Sequence, residues 1–300
     1  MNKKSLSVIA SFIIIIFAYF GYNLKIDNIS DVGNIFEYLF SENEYTEFDG
    51  DFLEVNFLDV GQGDCSVSVL PSGEILMIDA GDNGNESKIF DFLNDRGIDK
   101  IDYLIATHPH SDHIGGIPEI ITKYEVSEFY MPDVVHTSAT FEKMIELLNQ
   151  NNIRVHSASS EKSVINNSEI TVEFVAPVGK KYEELNDYSA VVRMEYKDKS
   201  FLFCADMEEL SENEVLESGI VIDSDVLKVA HHGSSTSSSV KFLEEVSPEI
   251  SVISCGRNND YNHPHVEILK RITDISKTVY RTDIDGHIRI TTDGSKLIYD

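Results

Sequence analysis

The chain is short of cysteine and of positive charge. Only Cys65, Cys204 and Cys255 occur among 300 residues, and no C-x-x-C pair is present. An odd count without paired spacing gives no disulfide framework. Each cysteine sits in or beside an apolar run, which marks it as a small buried side chain. Lysine and arginine number 24 against 52 aspartates and glutamates, a formal net charge of −28. A chain this acidic lacks the basic footprint of a tight nucleic-acid binder and repels phosphate backbones. Divalent cations would offset that charge locally, so cleavage at a metal centre stays open. No G-x-S-x-G elbow occurs, which argues against a serine hydrolase. No G-x-x-x-x-G-K-S/T loop occurs, so nucleotide binding of that kind is unsupported. Internal repeats and low-complexity tracts are also missing.

What is present suits one or two domains: 42% of residues are apolar, enough for a sizeable core. Lys3 and Lys4 precede an uncharged stretch, residues 5–24, with a strongly apolar centre at 11–20. Its length matches the ~20 residues that cross a bilayer as a helix. With no small-x-small cleavage site after it, residues 1–24 are expected to be a retained membrane anchor rather than a cleaved signal. The two lysines before the span, and the acidic run after Lys25, place the N-terminus in the cytoplasm and the remainder outside the cell. Residues 25–51 read as an acidic stalk, and residues 52–300 as a single hydrolase domain.

Within that domain, short β-rich runs are expected at 54–60, 65–70, 74–79, 101–107, 169–175, 189–196, 200–205, 225–230, 249–254 and 286–291, punctuated by turns such as Gly61-Gln62-Gly63-Asp64 and Asp293-Gly294. Phe141, Met144, Ile145 and Leu148 carry helical spacing. Ile89 and Leu93 share a face of another helix, with Gly97 as its stop. Residues 240–246 and 266–272 are shorter helical candidates. Hairpins first, then strands alternating with helices, imply two sheets with helices outside.

The strongest chemical signal is Thr107-His108-Pro109-His110-Ser111-Asp112-His113-Ile114-Gly115-Gly116. Three histidines and an aspartate follow an apolar run that reads as a buried strand. A rigid strand end and the loop beyond it can aim His108 and His110 at one metal, and Asp112 and His113 at a second. Imidazole with carboxylate suits zinc, iron or manganese.

This H-x-H-x-D-H pattern resembles the signature of the metallo-β-lactamase superfamily. Further stretches agree, in order, from Phe57 to the C-terminus: Phe57-Leu-Asp-Val-Gly-Gln-Gly-Asp64, Met77-Ile-Asp-Ala-Gly81, Phe203-Cys-Ala-Asp206, Leu227-Lys-Val-Ala-His-His-Gly-Ser234 and Gly256-Arg-Asn-Asn-Asp-Tyr-Asn-His-Pro-His265. They resemble the C-terminal hydrolase domain of ComEC-type DNA-uptake proteins and their stand-alone relatives. The resemblance implies an α+β fold, the αββα sandwich, with the site at one edge between the sheets. It implies two divalent metal ions, zinc or manganese, held by His108, His110, Asp112, His113, Asp206 and one of the pair His231 and His232. Asp206 takes the place of the metal-bridging carboxylate. His232 is the preferred last ligand, with His231 near the substrate. Asp79 resembles the carboxylate that orients a ligand histidine. Asp112, His231 and His263 are the candidate catalytic residues. His263 and His265 lie in a polar loop suited to binding phosphate or protonating a leaving group, and a plain surface loop is the competing reading. Gln62 and Asp64 are placed on a hairpin rim near the metals without an assigned role. His136, His156 and His287 fall outside every motif.

One departure stands out. Many superfamily hydrolases carry a further histidine between H-x-H-x-D-H and the bridging aspartate. Here the corresponding stretch is Asn186-Asp187-Tyr188-Ser189. The first metal is then expected to use Asp187 or water.

Two adjacent divalent ions activate water and neutralise an anionic substrate, so the expected activity is phosphodiester hydrolysis. The candidate substrates are nucleic acid or a cell-wall polymer such as teichoic acid substituents. Hydrolysis of neutral bonds (lactone, β-lactam or ester) and a non-catalytic surface binding module are the alternatives. The membrane is the other expected partner, and no obligate protein partner is evident.

Overall fold

The computed structural model describes residues 52–299. The expected anchor and stalk, residues 1–24 and 25–51, lie outside the described residues. Among the described residues no helix is long and apolar enough to cross a membrane.

Two sheets stack face to face. The first has the order β15 (Leu297–Tyr299), β14 (Ile288–Thr292), β1 (Leu53–Phe57), β2 (Ser66–Val69), β3 (Ile75–Ile78), β4 (Lys100–Ile105), β5 (Glu125–Met131), β6 (Arg154–Ser157). The second runs β13 (Thr278–Arg281), β12 (Ile250–Ile253), β11 (Val226–Lys228), β10 (Lys199–Phe203), β9 (Val191–Tyr196), β8 (Ile170–Ala176), β7 (Ser163–Asn166). Each sheet begins with antiparallel hairpins and continues as parallel strands, β3 to β6 in one and β10 to β13 in the other. The helices are α1 (Glu86–Asp95), α2 (Ser111–Ile114), α3 (Ile117–Lys123), α4 (Ala139–Gln150), α5 (Glu209–Ser218), α6 (Val240–Val246), α7 (Val266–Ile275) and α8 (Thr282–Asp285).

Side-chain period builds the layers, because alternate strand residues face opposite sides. In β1, Leu53, Val55 and Phe57 enter the core between the sheets. In β3, Leu76 and Ile78 point the same way, while Met77 faces the helical side with Ile89 and Leu93 of α1 and Phe141, Met144 and Leu148 of α4. In β10, Phe201 and Phe203 face the central core, and Phe203 stacks on Phe57 across the sheets with ring centroids 5.7 Å apart. Leu202 faces outward with Phe242, Leu243, Ile268 and Ile272 of α6 and α7. Three apolar layers thus separate helix, sheet, sheet and helix, the αββα arrangement.

The structure departs from the sequence reading in places. On α4 the stripe uses Leu147, while Ile145 is 39% exposed. The helix is rotated so that position 147 fills the space beside Met144. Strand β5 escaped notice because Glu125, Ser127 and Glu128 break its apolar pattern, although Val126, Phe129 and Tyr130 are buried. β6 and β7 are mostly solvent-accessible edge strands with little hydrophobic signal. α1 does stop at Gly97, whose φ is 65°.

Candidate metal centre

Parallel strands place their C-terminal ends at one edge, and chemistry collects there. The ends of β3, β4, β10, β11 and β12 carry Asp79, Thr107 with His108, Asp206, His231 with His232, and Ser254. His108 lies three residues past the end of β4 and is 1% exposed. The chain then turns at His110, whose extended backbone leads into α2. That short helix carries Asp112 and His113.

Asp206 is the hub. Its Oδ1 lies 3.1 Å from His113 Nε2 and 3.4 Å from His232 Nε2, and His232 Nε2 lies 3.2 Å from Asp112 Oδ2. Its Oδ2 lies 3.9 Å from His108 Nε2 and 3.7 Å from His231 Nε2. His108 Nε2 is 2.9 Å from His110 Nδ1. Two donor groups share Asp206, Asp112-His113-Asp206-His232 and His108-His110-Asp206, and a third, Asp64-Asp79-His113, lies on the inner side; the donor atoms of each group are within 4.8 Å of one another.

The inner side of each donor is held. His113 Nδ1 sits 2.7 Å from Asp79 Oδ2, and Asp79 also accepts from the Thr107 backbone N–H and hydroxyl at 2.8 and 2.7 Å. His232 Nδ1 donates to the Ser254 carbonyl at 2.9 Å and faces Asp64 Oδ1 at 3.3 Å. Such partners select the tautomer and fix the ring, which is the usual support of a metal-ligating histidine. Asp206 is aimed through its backbone N–H, which donates to Ser189 Oγ.

Electrostatics agree with this arrangement. Burial pulls the His113 and His232 imidazoles down, but the surrounding carboxylates, Asp206 foremost, lift both well above the ordinary range. Burial pushes Asp206 up, and these two histidines more than offset it, holding its carboxyl well below the usual value. His108 goes the other way: burial, then the His113 charge, depress it well below the ordinary imidazole value.

The donors fit divalent cations. His113 Nε2, His232 Nε2 and Asp206 Oδ1 are buried, point at one another and have no hydrogen-bond partner. Buried polar atoms are nearly always satisfied, and a shared cation satisfies all three. Imidazole and carboxylate are the donors that zinc and manganese accept.

A close fit of backbone holds the loops. A Cβ on Gly63 would stand 2.3 Å from the Asp112 carbonyl oxygen, and the next N–H, of Asp64, donates to that same carbonyl at 3.0 Å. A Cβ on Gly115 would meet Asn83 N at 2.3 Å and Ser111 O at 2.5 Å. The metal-bearing turn therefore packs directly on the loops after β1 and β3.

The sequence matches a family model, the metallo-beta-lactamase superfamily, over residues 58–257. The chain belongs to that superfamily. At this level it is a metallo-beta-lactamase-fold hydrolase, built on a fold that binds divalent metals. Among curated proteins it is 28% identical over 253 residues to ComE operon protein 3 of Bacillus subtilis (strain 168), covering 79% of this chain and 32% of that one. It is 29% identical over 239 residues to Competence protein ComA of Neisseria gonorrhoeae, covering 78% and 32%. It is 26% identical over 242 residues to Recombination protein 2 of Haemophilus influenzae, covering 79% and 28%. The matched region spans about a third or less of those relatives' length. Solved structures share the fold at low identity. The metallo-beta-lactamase fold protein YhfI of Bacillus subtilis has a TM-score of 0.51 at 13% identity, covering 76% of this chain and 95% of that one. A long form RNase Z from yeast has 0.55 at 12%, covering 91% and 46%.

The remaining candidates distribute unevenly. Asp187 turns away: its carboxylate accepts from the Ser211 backbone N–H, and its neighbour Asn186 lines the metal cleft instead. Of the two expected completions of the first metal site, Asp187 or water, the structure turns Asp187 toward α5 through the 3-10 turn at Asn186–Tyr188. His263 reaches the cleft beside His231 and His232, with ring centroids 5.7 and 6.1 Å away. Burial, and then the neighbouring His232, bring its pKa down to about 4, so it is neutral near pH 7. In that state it suits accepting a hydrogen bond better than protonating a leaving group. His265, at the start of α7, is outside the residues lining the cleft; its Nδ1 accepts from the Ser235 N–H. Gln62 lines the cleft and accepts from the Gly256 N–H through Oε1. Asp64 is buried rather than on a rim. It pairs with Lys228, which is 2% exposed and also donates to the Val229 carbonyl. His136 and His287 each accept a backbone N–H, and His156 pairs with Glu128, so all three have structural partners.

Sequence reasoning passed over Lys228, Glu208, Thr236 and Ser189. Lys228 had a visible signal, a lone lysine inside the apolar run Val226-Leu-Lys-Val-Ala230. The other three had none, because their roles depend on which loops meet.

Proposed function

We propose that this protein is a metal-dependent phosphodiesterase acting on nucleic acid. The observation that carries this reading is the Asp206 carboxylate, with one oxygen facing His108 and the other facing His113 and His232. Divalent cations held by the two donor groups, zinc or manganese, would supply Lewis acidity and an activated water. The protein's own groups do the rest. Asp206 aligns the two donor sets. Asp79 and Ser254 keep the Nε2 atoms of His113 and His232 directed inward. The cleft above them, about 260 Å³, is lined by Gln62, Asn186, His231, Tyr261 and His263. These are hydrogen-bonding and aromatic groups suited to a phosphate and a flat base. Two curated relatives carry competence or recombination in their names, which favours DNA over a cell-wall polymer. The net charge of −28 favours short or single-stranded segments over extended duplex. The apolar stretch 5–24, with the lysines before it, supports a membrane-anchored enzyme whose catalytic domain is extracellular.

The test loads the chain with zinc and, separately, with manganese. It is assayed on bis-p-nitrophenyl phosphate and single-stranded DNA beside a lactone and a β-lactam, with Asp206→Ala as control. Metal-dependent cleavage of both phosphodiesters, lost in the variant, is the expected result. A metal-loaded protein that cleaves neither overturns the proposal, and turnover of only the neutral substrates reassigns the reaction.

A further inference from the structure

The donor group on the His108 side leaves coordination positions open. His108, His110 and Asp206 Oδ2 supply three atoms, the number a catalytic zinc takes from protein while keeping water in a further position, and sites of this kind also expand to five-coordinate. Ser189 is committed to His108 Nδ1 and the Asp206 backbone N–H. Asp187 is committed to Ser211.

We propose that His231 is the fourth donor of this first metal site. Three observations on the chain's own residues carry it. First, His231 Nε2 stands 3.7 Å from Asp206 Oδ2, much as His108 Nε2 does at 3.9 Å, so both imidazoles address the same carboxylate oxygen. Second, the far side of the ring is held as a ligand's is. Nδ1 lies 3.1 Å from Thr236 Oγ1 and 3.3 Å from Glu208 Oε1, and the Thr236 hydroxyl donates to that same Glu208 oxygen at 2.9 Å. A carboxylate on Nδ1 leaves Nε2 as the free donor, the arrangement that accompanies metal-bound histidine. Third, the backbone separates two neighbouring histidines. His231 and His232 both adopt left-handed φ, 48° and 53°. Their rings stand 67° apart in plane, with His232 at Oδ1 and His231 at Oδ2 of Asp206. A non-glycine residue in that region is strained, and two in succession place one ring on each side of the bridging carboxylate.

His231 is outside the set of donors within 4.8 Å of one another, and its side chain is 19% exposed at the cleft wall. Glu208 is a positioning residue in this scheme. It also accepts from Asn186 Nδ2, which ties the turn at 186–188 to the same imidazole. The chain thereby replaces a histidine missing near Ser189 with one from the end of β11.

The proposal rests on the two-cation reading above, and its test reads metal rather than turnover. Full-length protein, stripped by chelation, is titrated with zinc by calorimetry, and bound metal is counted by elemental analysis. Cobalt-substituted samples report coordination through visible absorption. The wild type is expected to bind two equivalents. His231→Ala should weaken one of them at least tenfold and alter the cobalt spectrum of that site. Glu208→Gln should weaken the same one about 10-fold to 100-fold. Pairing His231→Ala with His110→Ala should lose no more than one equivalent, whereas pairing it with His232→Ala should lose both. Circular dichroism of each variant checks that the fold is kept, and His231→Asn replaces alanine if it is not. Two equivalents bound by His231→Ala with affinity and cobalt spectrum unchanged overturn the assignment. That outcome leaves the phosphodiesterase reading standing, which fails only if the metal-loaded wild type cleaves no phosphodiester.

Discussion

Asp79 Oδ2 lies 2.7 Å from His113 Nδ1, and this contact leaves His113 Nε2 alone to face Asp206. Asp79 itself has a left-handed φ of 58°, a conformation asparagine tolerates better than most residues. Asp79→Asn should therefore keep the fold while weakening the orientation of His113. Metal affinity on the His113 side should fall about 10-fold to 100-fold. Calorimetric titration of the variant with zinc checks it, and an unchanged affinity would mean that Thr107 and packing alone hold the ring.

Lys228 and Asp64 form an ion pair at the floor of the centre, 2% and 5% exposed. Burial raises the Asp64 carboxyl, and Lys228 followed by His232 more than offsets it, so the group stays below its ordinary value. Lys228→Met leaves that carboxylate buried without its main counter-charge. The expected loss is about 3–5 kcal/mol, as for other buried pairs broken on one side. Lys228→Met with Asp64→Leu should recover part of it. Urea denaturation of metal-free protein measures both, and equal stability of the two variants would refute a strong pair.

Gly115 has an ordinary helical φ of −53°, so its requirement is space rather than backbone freedom. Gly115→Ala puts a methyl against Asn83 N, the Asp82 carbonyl carbon and Ser111 O, all within 2.5 Å. These are backbone atoms that cannot swing aside. Overpacking of this kind costs roughly 1–3 kcal/mol. Because the strained turn carries Asp112 and His113, metal binding should weaken along with stability. A thermal melt and a metal count of the variant test the two effects separately.

The three cysteines are buried and free. Burial, then nearby carboxylates, lift the Cys65 thiol well above its ordinary value, and burial with Asp283 lifts Cys255 to about 12. The raised value means folding favours the protonated thiol. That contribution is fully present below the ordinary value of 9.0 and is lost as pH rises through about 12 for Cys255. A thiol with a pKa of about 12 is roughly one part in ten thousand thiolate at pH 8. Native protein at pH 8 should therefore resist alkylation, and all three thiols should label after unfolding. Rapid native labelling at any of them would contradict the burial.

Removing the metals should lower stability by mass action. A ligand at 100 times its Kd adds about 2.7 kcal/mol per independent site. Melting with and without a chelator, in wild type and Asp206→Ala, should show a large shift in the first and almost none in the second. A shift of the same size in Asp206→Ala would place the metal elsewhere.

Much of the site was legible because its chemistry is written locally. His108, His110, Asp112 and His113 lie within six positions, just after an apolar strand, so the short spacing itself brings them together. Asp79 and Asp206 each follow a continuous apolar run, Ile75–Ile78 and residues 201–205, so their place at a strand end could be read as well. Two sheets with helices outside were legible from hairpins followed by strands alternating with helices, and the αββα order came from the family resemblance. Strands β6 and β7 were invisible because edge strands with exposed faces need little hydrophobic pattern.

Pairings over long sequence distance were decided only by the tertiary structure. Lys228 and Asp64 are separated by 164 positions, and His108 and Ser189 by 81. Loops joined by parallel strands come together at one sheet edge, and sequence spacing carries no record of which side chain will face which. The same holds for His231 and His232. Sequence could present them as a pair, but the left-handed backbone at both residues sends one ring to each oxygen of Asp206. Residue chemistry and hydrophobic runs act over a few positions, so the chain alone declares the clustered donors from His108 to His113 and the individual strands. Which donor meets which depends on how two sheets close on a shared core, and that is a property of the folded whole.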